Sequence, residues 1–131
     1  MADPCFLSVE DIRHIHRREI EQAGGDPGIR DHGLVESSTY AAQASFEGEW
    51  LHSDLFEMAG AYLVAFVQNH PFVDGNKRTG TAAALTFLYM NGYELTEDHP
   101  QELADIVLDF VTHAIDRDSL VNYLRLHSEH R

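Results

Sequence analysis

Residues 70 to 80 read His-Pro-Phe-Val-Asp-Gly-Asn-Lys-Arg-Thr-Gly. An apolar segment with helical spacing, Leu55 to Asn69, runs up to this stretch, and a second, from Asn76 to Met90, leaves it. The stretch is therefore a loop that opens onto a helix N-terminus, where unpaired N–H groups and the helix dipole favour anions. It holds an imidazole, a carboxylate, an amide, two cations and two glycines, and no other part of the chain is as chemically dense.

The periodic segments on either side follow helical spacing, and none shows an alternating strand pattern of any length. Ser8-Val-Glu-Asp11 has the form of a capping box, and Val9, Ile12, Ile15 and Ile20 then give an apolar face that stops at Gly24-Gly25. Asp31 is placed to cap a short helix from about Gly33 to Tyr40, and Gln43 to His52 reads as an irregular, mobile loop with the only tryptophan, Trp50. Ser53 is the expected cap of the helix in which Leu55, Ala59, Tyr62, Leu63 and Phe66 share a face. In the helix after the loop, Ala82, Ala83, Ala84, Leu85, Phe87 and Leu88 point in nearly every direction. That pattern makes it the buried central helix, ended by Asn91-Gly92. Pro100 opens a fifth helix with Leu103, Ile106, Val107 and Phe110 on one face, and Leu120, Val121 and Leu124 mark a sixth. The expected fold class is all-α: a single domain over residues 1–131, of about six helices, with no repeat and no linker.

Composition narrows the class further. A chain of 131 residues is long enough to bury about two-thirds of the surface its unfolded form exposes. Cys5 is the sole cysteine, near a terminus expected to be mobile, so no disulfide forms within one chain. No apolar run reaches the ~18 residues of a membrane span, and Met-Ala-Asp-Pro lacks the regions of a signal peptide. The expected location is cytoplasmic. A net charge of −13 argues against direct nucleic-acid binding, since duplex affinity comes mostly from cations that neutralise phosphates. Lys77, the sole lysine, nevertheless stands beside Arg78 in the loop. A focused cationic spot in an acidic protein suits one phosphate group better than a polyanion track.

The loop can be read residue by residue. Gly75 and the amides of Asn76 and Lys77 form a nest for phosphate oxygens at the helix start. Arg78 adds a planar fork and Lys77 a point charge. Asp74 is a hard oxygen ligand beside the nest, of the kind Mg²⁺ needs when it bridges nucleotide phosphates. His70 is the residue type that takes a proton from a hydroxyl near neutrality. Each has a plainer explanation. Such a histidine is more often a structural hydrogen-bonder, Asp-Gly-Asn is a common turn sequence, and Phe72 is a core anchor. The conjunction favours a phosphoryl or nucleotidyl transfer site. Gly75 and Gly80 have the spacing of a Walker A loop, but Thr81 stands where that motif has lysine.

At this point the segment resembles the Fic/Doc motif, His-Pro-Phe-x-Asp-Gly-Asn followed by Gly or Lys and then Arg. Its Asn-Lys-Arg-Thr version is similar to the Doc, or death-on-curing, branch. Gly24-Gly25-Asp-Pro27-Gly28, Asp31-His-Gly33, Glu36, Asp54-Leu-Phe-Glu57, Tyr62-Leu-Val-Ala65 and Asn91-Gly92 extend the likeness in the same order over essentially the whole chain. The resemblance implies that His70 is the catalytic base, that Asp74 positions Mg²⁺, and that Asn76 and Arg78 hold the phosphates of ATP. It implies a protein kinase that moves the γ-phosphate of ATP to a threonine of elongation factor Tu and arrests translation. The Fic branch transfers AMP instead. Pro71 and Gly75 look like that branch, while Lys77 stands where AMP-transferring members have Gly and goes with a nucleotide reversed in the site. The third alternative is a catalytically inactive binding module.

The same resemblance directs attention to restraint. Members that inhibit themselves carry Ser/Thr-x-x-x-Glu-Gly/Asn; here Glu47-Gly48 follows Gln43, so the pattern fails. A separate Phd-like antitoxin is the expected partner, disordered alone and folding along the acidic surface beside Arg78. Other features read as structural. His14 and His16 lie two apart on a helix and cannot share a metal. His113, His127 and His130 suit helix C-termini, and Glu97-Asp98 suits a helix start better than a second metal site. Phe46, Trp50 and His52 form either a flap over a target peptide or a loop packed on the core.

Overall fold

A computed structural model describes residues 3–96 and 100–131, so Glu97-Asp98 lies outside the described residues. The helices are α1 (Val9–Ala23), α2 (His32–Tyr40), α3 (Leu55–Asn69), α4 (Asn76–Met90), α5 (Pro100–Val111) and α6 (Arg117–Leu126). The expected all-α class holds, with two small antiparallel additions. β1 (Ser45–Phe46) pairs with β2 (Glu49–Trp50), and β3 (Tyr93–Leu95) with β4 (Ser128–His130). Pieces this short carry no alternating pattern to find in a sequence.

Local chemistry sets the helix starts. Ser8 and Asp11 form the reciprocal capping box, and Asp31 accepts the Leu34 N–H, so α2 begins at His32. For α3 the cap is Asp54 and not Ser53: Asp54 Oδ1 accepts the Glu57 N–H at 2.8 Å. Ser53 instead gives its N–H and hydroxyl to the Glu57 carboxylate, which fixes the chain's entry. The segment expected to be irregular holds a short 3-10 turn (Ala41–Gln43) and the β1–β2 hairpin. Glu47 (φ 51) and Gly48 (φ 82) supply the two positive φ values that suit a two-residue hairpin turn.

α3 and α4 pack antiparallel as the centre of the molecule, with α1 against α4 and α2 and α6 against α3. Small residues allow the close approach: a Cβ on Gly80 would meet the Leu63 carbonyl and Phe66 Cβ at 3.2 Å. Tyr62, Phe66, Phe72 and Phe87 are the largest fully buried side chains. α4 is central as expected, and α3 is buried more completely still. The difference follows from position, because α6 covers the face of α3 that α4 leaves open.

The N-terminal segment is tied down, contrary to expectation. Asn91 at the end of α4 accepts the Cys5 N–H at 2.8 Å and donates to the Cys5 carbonyl at 2.9 Å. Phe6 stacks on Phe87, and buried Leu7 gives its N–H to the Tyr62 hydroxyl at 3.0 Å. Burial pushes Tyr62 up to about 12, so the phenol stays neutral. Among the described residues no helix is long and apolar enough to cross a membrane.

Candidate active site

The loop between α3 and α4 is pinned from three sides. His70 closes α3 in the left-handed region (φ 47, ψ 55), and the chain then turns inward at buried Pro71 and Phe72. The Phe72 ring is 1% exposed, lying 3.7 Å from the parallel ring of His16 on α1 and 6.1 Å from that of Phe66 on α3. Outside it, residues 28–31 run alongside as a splint. The Val73 N–H donates to the Gly28 carbonyl at 3.0 Å, and the N–H groups of Arg30 and Asp31 both donate to the Pro71 carbonyl.

Asn76, the first residue of α4, is 6% exposed and turned into the loop. Its Oδ1 accepts the Phe72 N–H at 3.0 Å, and its Nδ2 donates to the Phe72 carbonyl at 2.9 Å. The same Nδ2 stands 3.2 Å from His70 Nδ1. An amide nitrogen only donates, so Nδ1 accepts and the neutral imidazole carries its proton on Nε2. The Asn76 side chain thus organises the loop, and its backbone amide is the part that remains for an anion.

Gly75 caps α4 at φ 83, a value that favours glycine, and a Cβ there would lie 3.2 Å from Ile20 Cδ1. Behind it the amides of Asn76, Lys77 and Arg78 are first-turn donors without intrahelical partners. A cavity of about 300 Å³ opens on Gly75, Asn76, Lys77 and Arg78. Lys77 is exposed. The Arg78 guanidinium donates to the Gly24 carbonyl at 3.1 Å and reaches the Glu19 carbonyl at 3.5 Å. Arg78 therefore joins the α1 C-terminus to the nest.

Asp74 is exposed, and its Oδ2 accepts the Asp26 N–H at 2.8 Å, which leaves the second oxygen for a cation. No cluster of three acidic, histidine or cysteine side chains suited to a metal exists among the described residues. The single carboxylate of Asp74 is the kind of donor that Mg²⁺ takes, since it is commonly bound through one or two carboxylates plus substrate phosphates and water. Below Asp74, its carbonyl accepts from His16 Nε2 at 2.9 Å. Burial, with the Arg78 cation adding to it against the pull of that carbonyl, holds His16 below the usual histidine range.

Beside the nest, a groove of about 360 Å³ lies between α4 and α5, with Leu85, Leu103, Val107 and Leu108 as its apolar lining and Lys77 and Arg78 at one end. A family model for the Fic/DOC family matches residues 6–88, from the segment before α1 through nearly all of α4. The chain belongs to the Fic/DOC family. A protein named Toxin Doc from Mycolicibacterium smegmatis is 39% identical over 98 residues, covering 74% of this chain and 75% of its own. Another, named Protein kinase doc, from Escherichia phage P1, is 39% identical over 119 residues, covering 91% of this chain and 92% of its own.

Within this Fic/DOC chain, His16, Asp26 and Arg30 support the loop without having been singled out as site residues. His16 was legible in part, since Ile12, His16 and Ile20 recur every four residues on one face of α1. Asp26 and Arg30 act from an irregular segment, where no periodicity points inward. His14 is exposed and apart from His16. Trp50 packs against Phe6 at 5.2 Å between centroids while Phe46 is exposed, so the hairpin is both docked and presented. His52 Nδ1 lies 3.2 Å from the Arg117 guanidinium, away from the loop chemistry. His127 caps α6 and His113 follows α5, whereas His130 lies in β4 against Tyr93.

Proposed function

We propose that this protein is the toxin of a toxin–antitoxin pair, a cytoplasmic protein kinase that moves the γ-phosphate of ATP onto a threonine of elongation factor Tu. The observation that carries this reading is the joining of His70, through Asn76, to the helix start that forms the nest. Base and phosphate cradle are then parts of one loop. The names of the two relatives, Toxin Doc and Protein kinase doc, support the same reading.

In the proposed reaction the target hydroxyl oxygen bonds to the γ-phosphorus, the bond from that phosphorus to ADP breaks, and the hydroxyl proton passes to His70. The resting ring has its proton on Nε2, so it accepts at Nδ1 after leaving the 3.2 Å contact with Asn76. A single hydrogen bond worth about 1 kcal/mol permits that exchange. The α4 amides, Lys77 and Arg78 hold phosphate oxygens as charge redistributes. Mg²⁺, bound through Asp74, would neutralise phosphate charge. Lys77 carries the choice of γ-phosphate over AMP, because its side chain fills space that glycine would leave to a diphosphate.

Purified chain incubated with elongation factor Tu and Mg-ATP should transfer label from γ-labelled ATP and not from α-labelled ATP. Label from the α position alone would make it an AMP transferase, the outcome that Pro71 and Gly75 favour. Label from neither would leave a binding module. A Phd-like antitoxin segment is proposed to occupy the α4–α5 groove, where an apolar helix face would meet Leu103 and Leu108 and a carboxylate would meet Arg78.

Gly25 gives a further test of Asp74. Gly25 has φ +117, and a Cβ there would stand 3.1 Å from Asp74 Cβ. Gly25→Ala should displace the carboxylate and raise the Mg²⁺ concentration for half-maximal transfer by about 10-fold. A Mg²⁺ titration at saturating ATP checks this, with an unchanged midpoint counting against the role of Asp74.

A further inference from the structure

Three successive carbonyls at the end of α3 terminate on one residue. Arg30 Nε donates to the His70 carbonyl at 2.6 Å, its Nη2 donates to the Asn69 carbonyl at 2.7 Å, and its backbone N–H donates to the Pro71 carbonyl at 2.8 Å. Carbonyls at a helix C-terminus lack N–H partners within the helix. A guanidinium meets this need in two ways: its planar fork spans adjacent oxygens, and its charge complements the negative end of the helix dipole. The same peptide units hold His70 at φ 47, a conformation that residues other than glycine seldom adopt.

We propose that Arg30 is a positioning residue for the catalytic base: it locks the left-handed backbone at His70 and so sets the direction in which the imidazole projects. Among the described residues the ring has one hydrogen bond, the 3.2 Å bond from Asn76, which it must leave to accept a proton. Through that step the backbone aims the ring: the His70 N–H stays on the Phe66 carbonyl at 3.3 Å, and Arg30 holds the carbonyls on either side of the turn. A short charge-assisted pair of bonds to main-chain oxygens is suited to this, because it survives rotation of the side chain. Arg30 has no part in the nest, whose lining is Gly75 to Arg78. Its effect should therefore fall on the chemical step and spare nucleotide binding.

The inference deepens the transfer reading and rests on it, so the test has one arm with turnover and one without. In the first, R30A and R30K are compared with the wild-type chain, after circular dichroism shows each folded at the assay temperature. R30A should lose about 10-fold or more in kcat while KM for ATP stays within about 2-fold. R30K should recover only a minor part, since one ammonium cannot reproduce the fork. In a H70A background, R30A should lower the residual rate no further. Wild-type kcat in R30A or R30K, or a loss matching the unfolded fraction, overturns the proposal.

The second arm follows the His70 imidazole Cε1–H resonance by NMR, assigned by its disappearance in H70A. One sharp signal in the wild-type chain should broaden or split in R30A. If the wild-type chain transfers neither label, the transfer reading fails and this arm alone judges Arg30: a broadened signal supports it and an unchanged one overturns it.

Discussion

His70→Ala should lower transfer by about 10²–10⁴-fold, the range for removal of a general base, and should abolish growth arrest on expression. The fold should survive. His70 is exposed, and its ring makes one side-chain hydrogen bond, from Asn76 at 3.2 Å. After truncation Asn76 Nδ2 still donates to the Phe72 carbonyl and Oδ1 still accepts the Phe72 N–H, so no buried group is orphaned. The one structural cost is backbone, because alanine at φ 47 lacks the compensations of glycine or asparagine. His70→Asn is therefore the cleaner companion: asparagine tolerates the left-handed region and has no basic nitrogen. Both variants should melt within a few degrees of the wild-type chain while losing transfer together. A His70→Ala protein that still arrests growth would remove the imidazole from its proposed role and leave His70 as a helix terminator.

How much of this was legible in the sequence depends on how far each feature reaches along the chain. α1, α3, α4 and α6 announce themselves, because caps such as Ser8 and Asn91 and apolar residues such as Leu63 and Phe66 act within a turn or two of where they are read. The bounds of α3 agree with its apolar spacing, but its cap is Asp54 and not Ser53, since both are good caps and the Ser53 hydroxyl goes to Glu57. The loop's own composition marked it as the candidate site. Its supports were not marked, since Asp26, Arg30 and His16 meet the loop across 40 to 58 residues of sequence. Asn76 shows the same limit within the motif. Its residue type is legible, but the direction of its amide is decided by the depth to which Phe72 carries the backbone.

That depth makes Phe72 the point at which stability and chemistry should fail together. Phe72→Ala should destabilise the fold by about 3–5 kcal/mol, the range for emptying a fully buried aromatic site. In a chain of this size that corresponds to a fall of roughly 10–20 °C in Tm, readable by circular dichroism or calorimetry. The ring is held parallel between His16 and Phe66, so neither neighbour can close the gap without moving α1 or α3. Phe72→Leu keeps more of the volume and should cost clearly less, and Val73→Ala next to it, where the side chain is half exposed, should cost little. The functional consequence should go beyond lost folded protein. The backbone N–H and carbonyl of Phe72 are both held by Asn76, so a loop that shifts toward the vacated space carries Asn76 with it, and with Asn76 both the His70 contact and the first turn of α4. Transfer per folded molecule should therefore fall in Phe72→Ala even well below its Tm, and only partly in Phe72→Leu. If instead activity tracked the folded fraction alone in both variants, the ring would be a core filler and the coupling between core and site would be absent.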